Sequence, residues 1–290
     1  MTDSHVAWSR LALAVAALAL LAPAARAQAS LGLDVQVASR YRWRGITRGQ
    51  TWVVQPALFG STGEWCPALN GVCWGLSAGV WTNWQIGVVG ADELSDLPPG
   101  RRGLSEWDGW AEINVRGELL DAAAGAVRYM YPSADVGGFR TPGDNTTELY
   151  ARLHLPRVPW VKPSLVAWLD VDRVKGAFIE ASGVGGLPLL PMVANLDLGA
   201  AAGYSLGQER NLASPSEDFN SAQRGFTYLE FTTGPSFNLA PIPRVQTLRG
   251  AIIVHLQVSL DDLTRRASRL PGITRDAFCW ITFSGSLTWH

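Results

Sequence analysis

Most of this chain alternates between apolar and polar residues, and that pattern constrains the fold more than any other feature. In 105-SEWDGWAEINVR-116 the odd positions from Trp107 to Val115 are apolar or small, whereas most even positions are charged or polar. The segments 147–155, 164–172, 195–206 and 247–259 repeat the alternation. A period of two places the two kinds of side chain on opposite faces of a β-strand. With weaker segments included, the pattern predicts about twelve strands and no helix after residue 27.

The composition of the two faces favours a transmembrane β-barrel over a soluble β fold. The apolar faces combine glycine and alanine with leucine and valine, which would fill a soluble core poorly but are adequate against lipid. The connections also alternate between longer and shorter, as in barrels with long outer loops and short periplasmic turns. We therefore predict an all-β, antiparallel, up-and-down barrel. The alternative is a soluble periplasmic β-barrel or sandwich that binds a small ligand, because soluble sheets alternate as well.

Both ends of the chain carry features of an exported barrel. The apolar stretch 11-LALAVAALALLAPAA-25 and the small residues Ala25 and Ala27 are typical of a signal peptide, so we expect residues 1–27 to be removed and residues 28–290 to form the barrel. The last segment, 278–290, alternates again and ends near an aromatic residue, Trp289. Such a closing strand resembles the signal by which the barrel assembly machinery recognises its substrates.

Composition argues against several other classes of function. The 24 Lys and Arg residues nearly balance the 25 Asp and Glu residues, which gives no case for a nucleic-acid partner. We expect no metal and no cofactor, because His154 and His255 lack neighbours at ligand spacing and no glycine-rich phosphate loop is present. Neither of these histidines is followed two residues later by serine, so we expect no hydrolase. Cys66 and Cys73 flank a turn-like hexapeptide and are candidates for a disulfide in an oxidising compartment.

The candidate site is the lumen of the barrel. In 39-SRYRWRGITRGQ-50 the alternation predicts one wall strand with its arginines toward the lumen and with Tyr41 and Trp43 toward lipid, because arginine facing mid-bilayer would cost about 2–4 kcal/mol. The charged residues expected to line the lumen are Arg40, Arg42, Arg44, Glu106, Asp108, Glu112, Arg116, Arg128, Glu148, Arg152, Asp170 and Arg249. They either pair and fill a narrow lumen or set up a transverse field in an open pore.

Several short motifs resemble those of the TorF-type family of Gram-negative outer-membrane porin-like proteins. The pieces that carry the resemblance are Ser39, Tyr41 and 43-WRGI-46, then 55-QPALFG-60, 75-GLSAGVWTNW-84, 111-AEINVRGEL-119, 129-YMYP-132 and 148-ELY-150. The resemblance implies a barrel in the outer membrane with a transport or pore role, and it supplies no catalytic residues. We expect outer-membrane lipid and lipopolysaccharide around the barrel and small polar solutes within it.

Overall fold

The computed structural model shows fourteen strands in the part of the chain that it describes. It describes residues 29–67, 71–89, 97, 100–131, 145–156, 158, 160–172, 176–191, 193–207, 224–239, 245–260 and 277–289. The predicted signal peptide, residues 1–27, lies outside these ranges. Within them, no helix is long and apolar enough to cross a membrane. The strands are β1 (Ser30–Ala38), β2 (Tyr41–Trp43), β3 (Ile46–Gly49), β4 (Val53–Ser61), β5 (Cys73–Gln85), β6 (Gly103–Arg116), β7 (Asp121–Met130), β8 (Thr146–His154), β9 (Lys162–Asp170), β10 (Ala177–Leu190), β11 (Ala194–Leu206), β12 (Arg224–Leu239), β13 (Val245–Ser259) and β14 (Ala277–Trp289).

Twelve of these strands close into a barrel in chain order. Each wall strand pairs antiparallel with its neighbours, and β1 pairs with both β4 and β14. The closing register aligns Leu31 with Trp289 at one end and Ala38 with Thr282 at the other. The prediction of an all-β, antiparallel barrel of about twelve strands is therefore confirmed. Among the strands of the described ranges, β2 and β3 are the two that lie outside the barrel wall, as a separate two-stranded sheet.

The outside of the barrel is apolar around almost its whole circumference. Exposed apolar side chains on eleven of the twelve wall strands include Leu31, Leu58, Val80, Ile113, Leu149, Leu165, Leu187, Leu198, Phe231, Val254 and Phe283. A belt of this extent would be unfavourable in water but suits lipid, and the closed ladder leaves no strand edge without hydrogen bonds. The chain is therefore a transmembrane barrel of the outer-membrane type, which disfavours the soluble alternative.

The segment 39–50 differs from its predicted structure. Strand β1 ends at Ala38, and the chain then leaves the wall to form a hairpin in which Tyr41 pairs with Gly49 and Trp43 with Ile46. The two turn residues, Arg44 and Gly45, have φ angles of 47° and 86°. Positive φ at both positions is typical of a two-residue type I′ turn, which suits a tight hairpin. The prediction that this segment forms one wall strand is wrong, and so is the placement of Tyr41 toward lipid, because Tyr41 is buried.

The two ends of the barrel differ in the lengths of their connections. The hairpin end also carries the connections 86–102, 131–145, 171–176, 207–223 and 260–276, whereas the opposite end carries 62–72, 117–120, 155–161, 191–193 and 240–244. Outer-membrane barrels place their longer loops outside the cell. We therefore call the hairpin end the outer end and the other the periplasmic end.

The barrel wall predicts effects of different size for arginine at two adjacent positions. Leu198 faces outward near the middle of β11, and Asp197 faces the lumen. Leu198→Arg should lower the free energy of unfolding in lipid vesicles by about 2–4 kcal/mol, because it exposes a charge to the hydrocarbon core. Asp197→Arg should have a much smaller effect, as measured by denaturant titration. Equal losses for the two variants would contradict the assignment of the faces.

Candidate functional site

The hairpin formed by β2 and β3, which we call the lumen hairpin, crosses the interior of the barrel. At its turn, Arg44 forms hydrogen bonds with Glu148 of β8. From the other side, Gln257 of β13 donates a hydrogen bond from Nε2 to the carbonyl oxygen of Gly45, with a distance of 2.9 Å. Strands β8 and β13 lie on different sides of the closed barrel. The hairpin is therefore held from several directions by groups that face the lumen.

The first anchor of the hairpin is a bidentate ion pair. The Nη1 and Nη2 atoms of Arg44 donate to the two carboxylate oxygens of Glu148 at 2.7 and 2.5 Å. The guanidinium also lies over the rings of Trp168 and Phe178, at 4.6 and 5.1 Å from their centroids. Tyr129 donates a further hydrogen bond to Glu148 at 2.9 Å. Bidentate geometry and aromatic faces suit arginine specifically, so lysine would not replace it.

The second anchor is Arg42, which ties the hairpin to itself and to the wall. Its Nε donates to Oε1 of Gln257 at 3.1 Å, and its Nη1 and Nη2 donate to Thr47 and to the carbonyl of Gly45 at 2.5 and 2.6 Å. The guanidinium carbon lies 4.6 Å from the centre of the Phe278 ring. These contacts leave the tight turn little freedom, because each polar atom of Arg42 is engaged in a partly buried site.

The third anchor is Glu106 of β6, which is fully buried. It accepts a hydrogen bond from the hydroxyl of Tyr41 at 2.9 Å. The Nη2 atom of Arg48 lies 3.8 Å from the same carboxylate oxygen. Both hairpin strands therefore contact one carboxylate, which compensates the charge of Arg48 where little water reaches it.

A chamber of about 480 Å³ lies beside the hairpin. Residues 40–45 form one side, and Asp108, Tyr129, Glu180, Glu230 and His255 are among the wall residues that line it. Gln36, Gln55 and Trp81 border both this chamber and a wider cavity of about 990 Å³ toward the periplasmic end, so the two spaces adjoin. The space inside the barrel thus includes a smaller chamber at the hairpin and a wider cavity toward the periplasmic end.

The predicted lumen residues occupy three levels of this interior. At the outer level, Arg42, Arg44, Glu106 and Glu148 take part in the anchors described above, and Asp170 is buried and accepts from Thr146 at 2.5 Å. Arg40 and Asp108 line the chamber. Farther down, Arg152 and Glu112 pair at 3.2 Å, Arg116 pairs with Glu64 at 2.7 Å, and Arg249 lines the wider cavity.

Arg128 is the exception, because it points away from the lumen. It aligns with Gly109 and Thr147, whereas the neighbouring Tyr129 aligns with Asp108 and reaches Glu148 inside the barrel. Arg128 pairs with Asp172 on the outside of the barrel. The prediction that Arg128 lines the lumen is wrong. The physical reason is the run of small residues in 121-DAAAGAVRYM-130, which fits either face and leaves the phase of the alternation undefined.

Three residues that hold the hairpin are not predicted from the sequence. Arg48 lies in the hairpin strand β3, and Gln257 and Tyr129 hold the hairpin from the wall. The only sequence signal for them is Gly45, which marks a turn inside an alternating segment. The alternation places His255 and Glu230 on lumen faces, and the structure joins them in a chain: His255 Nδ1 lies 2.8 Å from Glu230, and Nε2 lies 3.0 Å from the hydroxyl of Thr282.

The cysteine pair lies at the periplasmic end of the barrel. The structure joins Cys66 and Cys73 in a disulfide bond at the turn that precedes β5. Among the described residues, one group of metal-ligand atoms lies close together, namely those of Glu64, Cys66 and Cys73. Because the disulfide consumes both thiolates, this group offers no thiolate ligand for a metal ion.

Comparison with known proteins shows that this chain shares its fold with solved barrel structures, and it shows no more than that. No protein-family model and no curated protein matches the chain. Among solved structures, it is similar to the KdgM porin, with 9% identity, 90% and 98% of the two chains covered and a TM-score of 0.40. It is also similar to LpxR from Salmonella typhimurium, with 11% identity, 90% and 99% covered and a TM-score of 0.44. A third similar structure is outer membrane phospholipase A from Escherichia coli, with 12% identity, 90% and 92% of the two chains covered and a TM-score of 0.40. Similarities this low transfer no function to this chain.

The buried ion pair at the hairpin turn predicts a non-additive mutational effect. Arg44→Met should lower the free energy of unfolding by about 3–5 kcal/mol, because it leaves the buried carboxylate of Glu148 without its countercharge. The double variant Arg44→Met with Glu148→Met should recover much of that loss, as measured by denaturant titration in vesicles. Arg40→Met is the matched control with little effect. A double variant as unstable as the sum of the two single variants would contradict the coupling.

Proposed function

We propose that the protein is an outer-membrane channel for small polar solutes whose narrowest point is the lumen hairpin. The observation that carries this proposal is the arrangement of the hairpin within the lumen, where it borders a charged chamber that adjoins a wide cavity. If the interior were filled by side chains alone, we would expect neither the chamber nor the wider cavity. Charged groups on a narrow segment of a water-filled lumen are the usual means by which pores select solutes.

The charges at the narrow segment are of both signs and are fixed in position. Arg40, Arg42 and Arg44 come from the hairpin side of the chamber, and Glu180 and Glu230 come from the wall. Such an arrangement produces a transverse field that orients dipolar solutes as they pass. The resemblance to TorF-type porin-like proteins supports the same proposal. Its motif 43-WRGI-46 comprises the last residue of β2, the two turn residues and the first residue of β3, so the motif lies at the tip of the lumen hairpin.

The second candidate is a plugged barrel with a structural role. The observation that favours it is the dense anchoring of the hairpin by Glu106, Glu148 and Gln257. Charges buried with partners fill space stably when the geometry is good. Conductance separates the two candidates, because a plugged barrel passes no ions.

We further propose that the protein is not an enzyme. In the described part of the chain, Glu230, His255 and Thr282 form an arrangement that resembles a catalytic chain, in which both ring nitrogens of His255 are engaged. The imidazole stacks against the ring of Trp280 with centroids 4.6 Å apart, and the Thr282 side chain is buried. A satisfied hydrogen-bond network that shapes the chamber wall accounts for these contacts without any reaction.

Replacement of the hairpin tests the channel proposal. Ala38 and Val53 are direct partners in β1 and β4, so Asn-Gly in place of residues 39–52 should close the two strands with a two-residue turn. In planar bilayers the wild-type protein should show small single-channel currents in KCl, and the shortened variant should show larger ones, because the narrow point is gone.

The control for this experiment alters the opposite mouth. Cys66→Ser with Cys73→Ser opens the disulfide turn and should leave the conductance close to that of the wild type. Silence of the wild type together with large currents from the shortened variant would establish the plugged barrel instead. Silence of both folded proteins would exclude a channel.

A serine and threonine hydrolase assay tests the absence of catalysis. Fluorophosphonate labelling and ester hydrolysis by the folded barrel should equal those of the Thr282→Ala variant, because the hydroxyl serves only as a hydrogen-bond partner. Hydrolysis that depends on Thr282 and His255 would overturn this part of the proposal.

A further inference from the structure

We infer that the chamber beside the lumen hairpin binds small zwitterionic solutes of the amino acid or dipeptide class. The inference rests on the proposed function, since the solute enters through the lumen, and it adds the charge pattern that the chamber selects. It follows from the positions of opposite charges around one space of about 480 Å³. Spaces of this size hold small organic molecules.

The basic side of the chamber offers an arginine that is free to bind a carboxylate. Arg40 lines the chamber, and it makes no hydrogen bond or ion pair with any other residue in the described ranges. A guanidinium binds a carboxylate through two parallel hydrogen bonds, which fixes the orientation of the solute. Arg42 and Arg44 border the same space, although their hydrogen bonds are used within the hairpin and toward Glu148.

The acidic side offers acceptors for an ammonium group. Glu180 lines the chamber and accepts a hydrogen bond from the hydroxyl of Tyr228, without an ion pair among the residues that the structure describes. Asp108 lines the chamber from β6, and its side chain is 8% exposed. Glu230 lines the chamber as well. An ammonium group supplies three hydrogen-bond donors that carboxylates on this side can accept.

The combination of the two sides excludes simple ions as preferred ligands. An anion that contacts Arg40 also faces the carboxylates of Glu180 and Glu230, and a cation that contacts Asp108 also faces the arginines of the hairpin. Only a solute with both charges meets an opposite charge at each end. The aromatic rings of Trp81 and Trp280, which also line the chamber, restrict the space for bulk water between the two sides.

The direct test is calorimetric titration of the folded full-length barrel in detergent micelles. Glycylglycine, a zwitterion, should bind about tenfold more tightly than N-acetylglycine, an anion, or glycinamide, a cation, because each of these lacks one charge-assisted contact. Equal affinities for the three probes, or no saturable binding of glycylglycine, would overturn the inference.

Matched variants locate the site. Glu180→Gln and Asp108→Asn should weaken the binding of glycylglycine by about tenfold each without weakening that of N-acetylglycine, because an anion loses a repulsive neighbour rather than a partner. Arg40→Gln should likewise weaken the binding of glycylglycine without weakening that of glycinamide. The control is Asp197→Asn, which lies in the wider cavity and outside the chamber. Heat-modifiable gel migration verifies the folding of each variant, and Glu180→Gln alone decides the test if Asp108→Asn does not fold. Unchanged binding in these variants would contradict the site.

Parallel conductance measurements in KCl separate this inference from the channel proposal. A barrel that conducts ions but does not prefer the zwitterion is a channel without this site. A barrel that binds glycylglycine yet conducts nothing has the site but is not a channel.

Discussion

The ion pair between Arg44 and Glu148 is the contact on which the interior of this barrel depends. It joins the turn of the lumen hairpin to β8 through two hydrogen bonds at 2.7 and 2.5 Å, in a place where both side chains are almost completely buried. A charge in such a place is tolerated only with its partner. The pair therefore fixes the position of the hairpin, and the hairpin in turn determines the width and the charge of the lumen.

The wall and the interior satisfy separate physical requirements. The wall needs an apolar outer face and backbone hydrogen bonds that continue around the closed barrel. Small apolar residues meet the first requirement as well as large ones do, because the outer face contacts lipid. The interior needs partners for its buried charges, and residues far apart in sequence supply them, as in the contacts of Arg42 with Gln257 and of Tyr41 with Glu106. This division explains how a simple repetitive wall encloses a specific arrangement of charges.

Much of the wall could be predicted from the sequence, because alternation depends only on neighbours along the chain. The number of wall strands, their approximate positions and their antiparallel order follow from it. The position of the lumen hairpin could not be predicted in the same way, since Tyr41 and Trp43 alternate with arginines equally well in a wall strand and in an inner hairpin. The face on which Arg128 lies could not be predicted either, because the small residues that precede it in β7 fit both the lumen face and the lipid face. Which carboxylate meets which arginine depends on closure of the barrel, which no local pattern encodes.

The most direct test of this account is thiol cross-linking between the hairpin and the wall. The rings of Trp43 and Tyr129 lie 6.2 Å apart, so Trp43→Cys with Tyr129→Cys, in a Cys279→Ser background, should be joined in high yield by a short bifunctional thiol reagent in the folded barrel. Ser77→Cys with Asn114→Cys on neighbouring wall strands, whose native side chains are 2.8 Å apart, is the positive control. Efficient cross-linking of both pairs is the predicted result. Cross-linking of the control pair alone would show that the hairpin does not lie in the lumen and would contradict the account.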